Sequence, residues 1–171
     1  MIEDTQGAGG IDDGPAEWSL SGDNSVDEAG FASYTVELAG SYGAGDQVSV
    51  VVNLSDTDTN NLDYASLDSA ITTATSSRAD LSYDSVTGTL TWTSALDGST
   101  MTPLVFELAI VDDVFVEGPE DYQVVLSAAA SPTGITPTIS INDTVITTVN
   151  DTQSVGGSAD CLLYTSDAAD E

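Results

Sequence analysis

The chain has 171 residues, 29 Asp or Glu against a single Lys or Arg, no His, and a formal net charge of -28. With only Arg78 to meet phosphate, such a polyanion is repelled by nucleic acid and by anionic lipid, which excludes both as partners. The same deficit removes the His proton shuttle, the Schiff-base Lys and the nucleotide-binding Lys loop, so an enzyme is not expected.

In chain order, Asp4 to Asp13 aligns without gaps on Asp151 to Asp160, and six of the ten positions are identical. This repeat implies that residues 1–13 end a preceding copy and link it to a unit spanning 14–152, with 153–160 linking to the next. Met1-Ile2-Glu3-Asp4 lacks the basic and apolar parts of a secretory signal, so an export instruction is expected elsewhere in a longer parent protein.

Within 14–152 the apolar residues, 40% of the chain, fall in alternating β-branched runs and not in the pattern of a disordered polyanion. Period-two alternation predicts strands around Tyr34-Val36-Leu38, Val48-Val50-Val52-Leu54 and Leu90-Trp92, with further strands over 104–111, 122–128 and 139–149. Turns rich in Gly, Pro and Asp separate them. Tyr64, Leu67 and Ile71, at i, i+3 and i+7, predict one short helix within 62–75, in an insert between strands. Seven or eight short strands predict an all-β, antiparallel sandwich of two facing sheets, immunoglobulin-like in architecture, with Trp18 and Trp92 in its core. No run approaches the 18 apolar residues of a membrane span, so membrane insertion is not expected. Residues 161–171 resemble the translation of a sequencing adapter; Cys161 lies there, and the native unit is read as cysteine-free.

The acids concentrate at strand ends: Asp27-Glu28, Asp56 with Asp58, Asp63, Asp112-Asp113, Glu117 with Glu120, and Asp151. Loops from distant parts of the chain meet at the two ends of a sandwich. Carboxylates gathered there repel one another unless a hard cation intervenes, and Ca2+, with six to eight oxygen ligands and tolerant geometry, fits a site without His or Cys. Asp56, Asp58, Asp97 and Asp143 are read instead as solvated turn residues. The sequons at Asn53, Asn142 and Asn150 carry no weight in so Ser/Thr-rich a chain.

The run Ile110 to Ser127 resembles the hallmark of Calx-beta domains: a strand ending in paired aspartates, a turn with two glutamates three apart, and an aromatic residue opening the next strand. Val26 to Gly30, Asp63-Tyr64, Gly88 to Trp92 and Thr148 to Asp151 resemble the family's other motifs, in its order. The resemblance implies calcium ligands at Glu28, Asp63, Asp112, Asp113, Glu117, Glu120 and Asp151, with the carbonyl of Phe115. It implies an adhesion repeat of a large bacterial surface protein, similar to calcium-dependent RTX-type adhesins exported by type I secretion. Its partners would be neighbouring repeats of the same chain, and surface glycans or other cells. The unit is longer than a typical member, chiefly over 56–85, and its closing run is Asn-Asp-Thr instead of consecutive aspartates. The alternative is a carbohydrate- or ligand-binding accessory domain of a secreted protein that uses the insert, with Tyr64, Arg78 and Tyr83 as contacts.

Overall fold

The structure is a computed structural model that describes residues 15–57, 59, 62–112 and 118–151. The proposed repeat ends, linkers and tail lie outside these residues.

The alternating runs form strands, and the longer ones bury every second side chain over most of their length, as the period of a pleated strand requires. They are β1 (Glu17–Gly22), β2 (Ser25–Asp27), β3 (Phe31–Ala39), β4 (Gln47–Asp56), β5 (Leu81–Asp84), β6 (Thr89–Thr93), β7 (Leu104–Ala109), β8 (Glu120–Ala130), β9 (Thr138–Ile139) and β10 (Thr144–Asn150). One sheet has the order β7-β3-β1-β9 and the other β2-β10-β8-β4-β6-β5. Their inner faces meet in one core that includes Trp18, Tyr34, Val36, Val50, Leu90, Trp92, Leu108, Tyr122 and Val124. This is the all-β sandwich expected from the alternation, with both tryptophans buried.

Two details depart from a purely antiparallel reading. β1 pairs with β9 and β2 with β10 in parallel, each at a sheet edge. The expected strand over 139–149 is also two strands. The chain crosses between sheets over Ser140–Asp143, where Leu20 N donates to the Asn142 carbonyl at 2.8 Å and Ile141 is 96% exposed. Gly88 shows where the backbone dictates a residue: its φ is +67°, and an added Cβ would lie 2.9 Å from the Val52 carbonyl.

The insert contributes α1 (Leu67–Thr75), capped by the Ser66 hydroxyl accepting from Ser69 N at 3.3 Å. It buries Leu67, Ile71 and Thr75, at i, i+4 and i+8, and packs on β7 and β5, edge strands of opposite sheets. The helix therefore closes one open side of the sandwich. Among the described residues no helix is long and apolar enough to cross a membrane.

The chain enters β1 beside Ala39 and Thr138 and leaves β10 beside Asp27, so entry and exit lie at opposite ends of the sandwich.

Candidate metal centre

The exit end is built from five places in the sequence, joined in turn by backbone bonds and strand pairing. Val111 N donates to the Asp63 carbonyl at 2.8 Å, which brings the insert to the end of β7. Ile110 N donates to the Gly30 carbonyl at 2.9 Å, linking that end to the turn between β2 and β3. Glu28 N donates to the Asn150 carbonyl at 3.1 Å, and Val149 lies opposite Glu120 across β10 and β8. Glu28, Asp63, Asp112, Glu120 and Asp151 thus line one end of the fold. The turn at Glu28 requires its glycine: Gly30 N donates to the Asp27 carbonyl at 3.0 Å, and a Cβ on Gly30 would come within 2.7 Å of that oxygen.

Three expected ligands, Asp113, Phe115 and Glu117, lie outside the described residues, as does Asp58. Among the described residues no three acids stand close enough to form a metal-holding group. Of the five that are described, Asp112 is exposed, while Glu28, Asp63, Glu120 and Asp151 are half-buried. The Oε2 atom of Glu28 is fully shielded from solvent. The chain's one basic side chain is already committed elsewhere, because Arg78 Nε and Nη2 donate to the Asp80 carboxylate at 2.8 and 2.7 Å. The side chains named at this end are all acidic and offer only oxygen, the donor type a hard cation such as Ca2+ prefers.

The end also contains groups the motif reading did not assign. Asp27 accepts from Asn150 Nδ2 at 3.3 Å, and Asp121 accepts from the Thr148 hydroxyl at 2.7 Å. The pairing of β2 with β10 brings Asp27 beside Asn150, and no local pattern announces that pairing. Asp56, read as a solvated turn residue, is exposed yet accepts from the hydroxyls of Tyr64 and Thr59. Asp97 accepts from Ala44 N at 2.8 Å, tying the loop after β6 to the turn before β4, while Asp143 accepts from the hydroxyl of its neighbour Thr144, a local turn bond.

The side chains offered for ligand recognition are consumed internally. Tyr64 donates to Asp56 and packs against Tyr122 at a ring separation of 5.4 Å, and Tyr83 donates to Asp68 at 2.6 Å. Burial, followed by these carboxylates, pushes both phenols well above their ordinary range. Arg78 bridges Asp80 to the carbonyl of Thr102.

No protein-family model matches this chain, and no curated protein does. Among solved structures, it is similar to a chain in the crystal structure of the CaDoc0917–CaCohA2 complex. That match has a TM-score of 0.47 and 10% identity, over 80% of this chain and 99% of the other. A likeness at that level does not say what either chain binds.

Proposed function

We propose that this chain is a calcium-binding structural repeat of a secreted or cell-surface adhesive protein, non-catalytic, with Ca2+ ordering the acidic end and stiffening its junction with the next unit. The observation that carries this reading is that Glu28, Asp63, Asp112, Glu120 and Asp151, from distant parts of the chain, all lie at the end where the chain leaves the sandwich. Asp113, Phe115 and Glu117 lie between Asp112 and Glu120 in the sequence, and the two carboxylates with the Phe115 carbonyl would complete the oxygen set. Entry and exit at opposite ends suit units strung in line, in which Asp151 would lie at the junction. The resemblance to Calx-beta domains and to RTX-type adhesins supports the same reading, with neighbouring repeats and surface glycans or other cells as partners.

Calorimetry tests it. One site at about a hundredfold excess of Ca2+ over Kd adds about 2.7 kcal/mol, so the melting temperature should rise clearly between EGTA and millimolar calcium. The Asp112→Asn, Glu28→Gln double variant should lose that rise. An unchanged wild-type melting temperature, with no calcium retained in equilibrium dialysis, would sink the proposal.

A further inference from the structure

The outer edge of β7 is tied at both ends and open between them. Pairing with β3 turns the backbone groups of Leu104, Phe106 and Leu108 inward, in phase with the bond from Ile110 N to the Gly30 carbonyl. By alternation those of Val105, Glu107 and Ala109 point outward. At one end Arg78 donates to the carbonyls of Thr102 and Pro103 at 3.1 and 3.5 Å, and at the other Ala65 N donates to the Ala109 carbonyl at 2.8 Å. Between these ties, no described residue meets the outward N–H and C=O groups of Val105 and Glu107.

Helix α1 stands beside this open stretch, and the gap is a cleft of about 460 Å³ whose lining includes Phe31, Ser66, Ala70, Ala74, Val105 and Glu107. Phe31 and Val105 are 62% and 55% exposed there, beside the Glu107 carboxylate. The cleft therefore presents backbone donors and acceptors at strand spacing, an apolar floor and one negative charge.

We propose that this cleft takes an extended peptide segment that adds a strand to the free edge of β7, with small apolar side chains against Phe31 and Val105 and a Lys or Arg against Glu107. Charge selects the occupant: a chain of net charge -28 repels a second copy of itself and any acidic peptide, and attracts a basic one. An uncovered edge invites unwanted pairing, and α1 limits access to a single segment narrow enough to enter beside it.

The probe is fluorescein-labelled Lys-Val-Thr-Val-Lys, blocked at both termini and titrated by anisotropy in calcium and in EGTA, because the cleft does not use the acidic end. Binding is expected in both, with the Glu-Val-Thr-Val-Glu counterpart about tenfold weaker or worse. Two further peptides carry backbone N-methyl groups, on the Thr or on both Val residues; strand addition requires that one of them lose about tenfold. Val105→Pro removes an outward N–H that β3 does not use, and should weaken binding similarly with unchanged circular dichroism. Should that variant misfold, the N-methyl pair decides. The proposal is overturned if no peptide binds at millimolar concentration, if the acidic peptide binds equally, or if both N-methylated peptides bind like the parent. It is also overturned if sedimentation shows a dimer that Val105→Pro abolishes, since the occupant would then be a second copy.

Discussion

Tyr34 reaches across the interface between the two sheets. Its hydroxyl lies 2.7 Å from that of Tyr122 on β8 and 2.6 Å from that of Thr147 on β10, and Thr147 donates to the Asp23 carbonyl at 2.6 Å. All three side chains are fully buried, so each bond stands in for water that cannot enter. Tyr34→Phe and Thr147→Val should each cost about 1–3 kcal/mol in urea unfolding. The double variant should cost less than the sum, because either change already breaks the chain of bonds. Burial pushes the Tyr34, Tyr64, Tyr83 and Tyr122 phenols up, and Tyr42 up to about 12. A folded-state value raised above about 10 gives stability that is fully present below pH 10 and lost as pH rises through the folded values. Absorbance at 295 nm should therefore show these five tyrosines ionising together with loss of circular dichroism; ionisation of the five near pH 10 in a folded chain would contradict this. At the acid end of the scale, Arg78 beside Asp80 holds that carboxyl below the ordinary range. Its contribution, about 1 kcal/mol or less at this partly exposed pair, is present above about pH 4 and fades as pH falls below it. Asp80→Asn should remove that part of the acid dependence.

The insert's helix is the element on which the side of the sandwich depends. Ile71, fully buried, fills the space between the edges of the two sheets, and Ile71→Ala should cost about 2–5 kcal/mol in thermal or urea unfolding. Ser66→Ala, which removes only the cap, should cost about 1 kcal/mol. The spacing of Tyr64, Leu67 and Ile71 announced a helix but misplaced its start. Ser66 caps it, and Tyr64 lies before the cap, bridging instead to Ile110. Two patterns overlap there, since an aromatic residue of an edge bridge can fall in phase with a helical face by chance. The strand expected over 139–149 misled for the complementary reason: its richness in β-branched residues runs on through the crossing between sheets, so only the Asn142-Asp143 pair and the exposed Ile141 betray the break.

Across the whole molecule, electrostatics sets the conditions for stability. A net charge of -28 with one ion pair among the described residues leaves a large self-repulsion. Sodium chloride should raise the melting temperature gradually between about 0.01 and 1 M as the screening length shortens. Calcium at millimolar level should raise it further than sodium chloride or magnesium at matched ionic strength, because bound ions act at the acidic end and not on the diffuse field. A rise with calcium no larger than with magnesium would point to general screening alone.

By itself the sequence determined the inward and outward faces of the strands, because side chains alternate with period two wherever a strand forms, and it determined the strongly anionic character of the chain. It also marked the acidic turns, since carboxylates are tolerated at strand ends and not within the core. Only the tertiary structure decided which turns meet. The parallel joining of β2 to β10 and the bond between Val111 and Asp63 bring Glu28, Asp63, Asp112 and Asp151 to one end, while Asp97 goes to the other. The same order of strands leaves the middle of β7 unpaired. Strand order follows from how two apolar faces pack over long separations in the chain, and no local pattern of residues encodes it.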